Sequence, residues 1–158
     1  MRESTGAREA GRLLGVDLGE VRIGLALSDA LGITAQPLES MFCSGPHKDV
    51  EKLTELIREY GVTRVVIGLP LLMSGAEGQG AAAARRFAER LRKRIRAANH
   101  EVALELWDER LTTVEAQRTL ISADVKRRKR KELVDGLAAV LILQSFLDSR
   151  SSGLEAAP

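Results

Sequence analysis

Asp17 interrupts an otherwise apolar stretch, RLLGVDL, where an ionised carboxylate is costly unless it is paired or bound to a metal. The position also reads as an Asp hydrogen-bonded to the glycine turn that follows. Glu109 lies at the end of a later apolar stretch, in WDERLTT, next to Asp108. If the strand runs that far, period-two alternation sends the two to opposite sheet faces, and only one can share a site with Asp17. Either acid could instead cap a helix opening at Thr112, Thr113 and Glu115. Asp135 stands near the start of an apolar helix, where the helix dipole favours a carboxylate without any function. A first-strand Asp, a Glu at a later strand end and an Asp on the last helix can nevertheless converge on one sheet edge. Three such carboxylates are hard oxygen ligands suited to Mg²⁺ or Mn²⁺. A pair of these ions about 4 Å apart can activate a water and stabilise the leaving oxygen of a phosphodiester.

The elements that must position these acids follow from patterning. Residues 12–18 read as a strand, the Gly19, Glu20, Val21 turn follows, and residues 22–28 (RIGLALS) return as the second arm of a hairpin. Residues 33–43 give a third strand bent near Pro37, which suits a sheet edge. Val50, Leu53, Leu56, Ile57 and Tyr60 recur at helical spacing, with Gly61 as the C-cap. Val65, Val66 and Ile67 form a short strand of the kind buried on both faces. After the loop GLPLLMSGAEGQG comes a helix striped by Ala84, Phe87, Leu91 and Ile95. Residues 102–107 form the last strand, 112–122 a short helix, and 133–147 a helix apolar almost all round. The sum is an α/β fold: a three-strand antiparallel meander, then alternating helix and strand, flanked by helices. One domain is expected over residues 12–148, with small, polar tails over 1–11 and 149–158 expected to be disordered.

Composition narrows the function. The chain has 158 residues, no apolar run that approaches a membrane span, and no apolar stretch after a basic start, so a cytoplasmic protein is expected. One cysteine, Cys43, and two histidines are too few for a disulfide or a structural zinc. Five aromatics offer little for a base-stacking platform, so any nucleic acid would be held mainly by charge. That charge is segregated: residues 85–131 carry a net +8, and the rest of the chain a net −6. Arg85, Arg86, Arg90, Arg92, Lys93, Arg94 and Arg96 form one cluster. Lys126, Arg127, Arg128, Lys129, Arg130 and Lys131 form an uninterrupted run, which reads either as a solvated loop or as a phosphate-backbone contact. Gly75, Gly78 and Gly80 are spaced as neither a dinucleotide fingerprint nor a Walker A loop, although their N–H groups open a helix and could meet a phosphate. Arg110 reads as an orienter of a carboxylate, with bidentate phosphate binding also open to it.

Four ordered motifs, VDLGEVRIGLALSD, VVIGLPLLMSGAEG, LWDERLTTVEAQRTLISADV and KRKELVDGLAAVLILQSFLD, resemble the YqgF family of pre-16S rRNA nucleases, also described as Holliday-junction-resolvase-like. The match spans about residues 12–148. It implies an RNase H-like fold with a five-stranded mixed sheet and a metal-dependent nuclease acting on structured nucleic acid. The family's metal site falls on Asp17, Glu109 and Asp135, with Asp108 a candidate fourth carboxylate. Glu20 and Val21 stand where other members often have a Thr and a Lys, which argues against a phosphate contact from that turn.

The resulting expectation is a two-metal endonuclease using Mg²⁺ or Mn²⁺ that processes the 5′ end of 16S rRNA precursor. Arg22, Arg85, Arg86, Arg110 and the run from Lys126 to Lys131 would hold the nucleic acid, in a monomer or homodimer. The alternatives are a resolvase of branched DNA and a non-catalytic ribosome-assembly factor. An actin-like or sugar-kinase lobe begins with a similar Asp-x-Gly hairpin, but such proteins need two lobes.

Overall fold

The computed structural model describes residues 11–112 and 127–156, with side chains over 11–112 and 136–151. Five strands form one sheet: β1 (Arg12–Leu18), β2 (Arg22–Ser28), β3 (Ala35–Phe42), β4 (Val62–Leu69) and β5 (Ala103–Asp108). Their spatial order is β3-β2-β1-β4-β5. β1 pairs antiparallel with β2 and parallel with β4, β2 pairs antiparallel with β3, and β4 pairs parallel with β5. This is the mixed sheet that the patterning predicts. Pro37 lies in the edge strand, where its missing N–H costs no ladder bond if it faces outward.

Helices α1 (Pro46–Tyr60) and α2 (Gln79–Ala97) cover one face. Pro46 opens α1 and left-handed Gly61 closes it, its N–H reaching the carbonyls of Ile57 and Arg58. The stripes Val50, Leu53, Ile57 and Ala84, Phe87, Leu91, Ile95 pack on Leu14, Val16, Leu25, Val65 and Ile67. The third helix, α3 (Arg127–Ala156), covers the opposite face against Leu13, Ala26 and Val66. It is longer than the apolar pattern indicates and carries helical backbone through positions 149–156, which composition places in a polar tail. The helix expected from Thr112 is replaced at its start by a 3₁₀ turn, Glu109–Leu111, with Thr112 as its C-cap. Positions 113–122 of that expected helix lie outside the described residues.

The seat of α3 on the sheet is tight. A Cβ at Gly15 would lie 2.8 Å from the Leu143 Cβ and 3.0 Å from the Ala139 carbonyl oxygen. At the other end, a Cβ at Gly32 would approach both Leu13 and Leu147. Leu147 therefore lies near the start of β1 and the turn from Ala139 to Leu143 near its middle, so α3 runs antiparallel to β1. Trp107 of β5 locks the far side, with its ring edge-on to Phe146 at 5.3 Å and its Nε1 donating to Ser145 Oγ at 3.1 Å. On the near side, the Gln144 amide accepts from Ala35 N and donates to the Ile33 carbonyl.

Gly15→Val should push α3 from the sheet and lower stability by about 1–3 kcal/mol, the usual effect of overpacking. Urea denaturation followed by tryptophan fluorescence checks this.

Candidate active site

The parallel strands β1, β4 and β5 end at one edge of the sheet, the edge at which α/β folds gather ligands. Asp17, the penultimate residue of β1, is 5% exposed. Its face follows from alternation. Val16 and Leu14 belong to the core under α1 and α2, whereas Leu13 and Gly15 lie under α3, so Asp17 faces α3.

Glu109 joins it on that face. Trp107 packs under α3, and Glu109 is two residues further on, where the 3₁₀ turn begins. A Cβ at Gly68 would lie 2.7 Å from Glu109 Oε2 and 2.7 Å from Ile142 Cδ1. The Glu109 carboxylate therefore occupies the space left by the missing side chain of Gly68. Val16 pairs with Ile67, so Asp17 and Gly68 are the next residues of two neighbouring strands, one strand spacing of about 4.8 Å apart. Two carboxylates thus share one face, side by side, at the carboxyl ends of β1 and β5. Gly68 is a site residue that the reading of single acids misses; its only signal is a glycine after a three-residue apolar strand core.

Asp108 separates from this pair. It alternates with Trp107 and faces the α1 and α2 side, as period-two alternation predicts. Its carboxylate accepts from Arg110 N at 2.9 Å, capping the 3₁₀ turn, and is forked by Arg110 Nε and Nη2. The Arg110 side-chain hydrogen bonds hold the Asp108 carboxyl below the ordinary aspartate range, against a smaller upward push from burial. The Arg110 guanidinium also lies against Gly75, whose φ of 92° shapes the tight loop after β4. Within that loop, Leu71 bridges to Glu77, Leu72 N donates to the Ala76 carbonyl, and Gly78 is the N-cap of α2.

The remaining expected positions divide by what they touch. Arg22 opens β2 on the same face as Asp17, two residues from Gly24, which pairs with Asp17. Its guanidinium lies 4.8 Å from the centroid of the Phe42 ring. Arg85 forks Glu77 through Nε and Nη2, and Arg86 is exposed. Within the α2 cluster, Arg92 pairs with Glu89 and Arg94 with Glu51. Asp135 and residues 127–131 carry helical backbone in α3, their side chains outside the described residues; Lys126 lies outside them altogether. Because α3 runs antiparallel to β1, the part of α3 before Ala139, position 135 included, lies toward the carboxyl end of β1, the end that carries Asp17. Among the described residues, no three His, Cys, Asp or Glu side chains form a metal-sized cluster.

Residues 11–149 match the family described as "RuvX: Holliday junction resolvase". The chain belongs to this family. A relative from Pelotomaculum thermopropionicum, named "Putative pre-16S rRNA nuclease", is 49% identical over 140 residues, covering 88% of each chain. One of the same name from Bacillus mycoides is 44% identical over 141 residues, covering 88% of this chain and 99% of its own. Among solved structures, Thermus thermophilus RuvC in complex with a Holliday junction superposes with a TM-score of 0.57 at 13% identity, over 90% of this chain and 96% of that one. The yeast mitochondrial Holliday junction resolvase Ydc2 gives 0.54 at 10% identity, over 93% of this chain and 82% of that one. At such identities the likeness establishes the fold, and it is the RNase H-like fold that the motifs imply. Among the described residues of this RuvX-family chain, no helix is long and apolar enough to cross a membrane.

Gly68→Ala should displace the Glu109 carboxylate, read as a shift of its carboxyl resonance by NMR, while circular dichroism stays native. For Asp108, the folded pKa lies below the unfolded one. The stabilisation from its Arg110 fork is therefore complete above the ordinary aspartate value of 3.8 and is lost as pH falls through the lower, folded value. Carboxyl NMR titration should show the Asp108 midpoint below 3.8 and its upward return in Arg110→Gln.

Proposed function

We propose that this RuvX-family chain is a divalent-metal-dependent endonuclease that hydrolyses phosphodiester bonds of structured nucleic acid, and that its substrate is the 5′ end of 16S rRNA precursor. The observation that carries the reading is the placement of the Glu109 carboxylate over Gly68, one strand from buried Asp17. A carboxylate held beside another on a helix-covered face has no benefit for a protein that only binds phosphate. The substrate follows the names of relatives at 43–49% identity.

The donor set fits a hard cation. Asp17 and Glu109 offer only oxygens, and Asp135, on the part of α3 that lies toward the carboxyl end of β1, would add the third carboxylate. These three would hold Mg²⁺ or Mn²⁺, two ions in the full reading, and the bound metal would supply water activation and charge neutralisation at the leaving oxygen. The chain's own contribution is placement. Burial fixes the Asp17 carboxylate, Gly68 gives the Glu109 side chain room to lie over the sheet, and α3 closes the face. Arg22, on that face, and exposed Arg86 supply positive charge for the backbone, as would the segment from Lys126 to Lys131. Arg85 and Arg110 are engaged with Glu77 and Asp108, so a phosphate would have to compete for them. In this reading Arg110 positions the strand end and does not grip substrate.

Branched DNA is the second reading, favoured by the family's description and by junction complexes of proteins with this fold. Parallel cleavage of a labelled precursor-rRNA 5′ segment and a four-way DNA junction separates the two. Cutting with Mn²⁺, abolished by EDTA and reduced at least about 100-fold in Asp17→Asn, is expected, with 5′-phosphate and 3′-hydroxyl products. Cyclic-phosphate products, or cutting that Asp17→Asn leaves intact, would refute the mechanism.

A further inference from the structure

From the face that carries Asp17 and Glu109, we infer that the groove between β3 and α3 is a stacking subsite for one unpaired nucleobase of the strand being cut. The inference rests on the reading of those two acids as the cleavage site. Of the five aromatics, Phe87 and Phe146 are buried, Trp107 packs edge-on to Phe146, and Tyr60 packs on the core under α1. Phe42 alone stands out in solvent, 60% exposed. It pairs directly with Arg22 across β2 and β3, so both point to the α3 face, the face of Asp17. Two strand spacings, roughly 10 Å, separate the β3 and β1 backbones, within reach of a nucleotide next to one whose phosphate lies at the carboxylates.

The groove beside Phe42 has a volume of about 540 Å³, ample for a base, and its walls are mostly apolar: Pro37, Leu38, Leu137 and Val140. Gly136 of α3 borders it, and a Cβ there would meet nothing within 4 Å. Arg22 lies over the Phe42 ring at 4.8 Å, and the ring stays 60% exposed and lines the groove. That contact brings a cation to where the sugar-phosphate of the stacked nucleotide would run. Glu39, at the rim, disfavours a second phosphate there and can accept from an exocyclic amine. A paired base cannot leave its stack without cost, so the subsite selects single-stranded or branched segments over continuous duplex.

The test uses the Asp17→Asn protein, which binds without cutting, and a short single-stranded oligonucleotide carrying one 2-aminopurine, whose fluorescence is quenched on stacking. Quenching on binding is expected. Phe42→Ala should abolish it and weaken single-strand binding about tenfold, Phe42→Trp should restore both, and blunt duplex binding should not change. Gly136→Leu, which fills open space and replaces a helix glycine, should also abolish the quench while keeping the melting temperature. Quenching and affinity unchanged in Phe42→Ala would overturn the inference, even if the wild type cuts with Mn²⁺. Phe42-dependent quenching in a protein that cuts neither substrate would instead support the subsite and refute the cleavage reading. If Phe42→Ala leaves the quench intact but dissociates a dimer in sedimentation, the groove belongs to a second copy and the inference fails.

Discussion

α3 reaches the sheet because Gly15 presents it no side chain. At this position the Ala139 carbonyl and the Leu143 Cβ come within 2.8–3.0 Å of where a methyl would stand, closer than any side chain allows. The rest of that face is built to the same depth. Its core uses small residues, Ala26, Ala138 and Ala139, among the larger Leu13, Val66, Ile142 and Leu143. On the opposite face, under α1 and α2, the strands present larger side chains, Leu14, Val16, Leu25, Val65 and Ile67. Gly68 repeats the device one strand over, and there the vacated space takes a carboxylate as well as Ile142. The depth of α3 and the position of Glu109 are therefore set by the same contact layer.

The end of β5 shows how one chain position decides which acid shares the face of Asp17. Alternation turns Trp107 and Glu109 toward α3 and Asp108 away. Asp108 is then occupied locally, as cap of the 3₁₀ turn and partner of Arg110. Its negative charge is neutralised on the far side of the sheet and does not add to the repulsion between Asp17 and Glu109. The turn ends the strand one residue before Glu109, freeing that side chain from the ladder to lie back over Gly68. An acid pair adjacent in sequence is thereby split into a structural residue and a candidate ligand.

How much of this was legible depends on the range of the interaction. The five strands and the three helices follow from period and turn residues: Val65, Val66 and Ile67 are fully buried, as a continuous apolar run implies, and Gly61 closes α1. The opposite facing of Asp108 and Glu109 follows from alternation alone. The 3₁₀ turn did not, because Thr112, Thr113 and Glu115 carry local helix-start signals that do not register the Asp108–Arg110 fork. The roles of Gly15 and Gly68 were hidden for a deeper reason. A glycine in a strand is locally unfavourable, and its use appears only when a distant helix or carboxylate fills the space. The resemblance to a family carried the third carboxylate, since helical periodicity offers the dipole as a sufficient explanation for Asp135.

Charge was the least faithful guide. Residues 85–131 hold most of the positive charge, yet three of the seven basic residues of the α2 cluster are committed to Glu77, Glu89 and Glu51. Ion pairs of this exposed kind add little stability, but they lower the positive field that a count of basic residues suggests. Arg22, which belongs to neither basic cluster, shares the sheet face of the two acids. It lies on the face of Asp17, held against the one exposed aromatic ring, and its position is fixed by strand pairing. Long-range attraction of a polyanion can come from the clusters. In the proposed reading, a phosphate placed beside the two carboxylates would meet a cation anchored to the same sheet face, and Arg22 of β2 is so anchored.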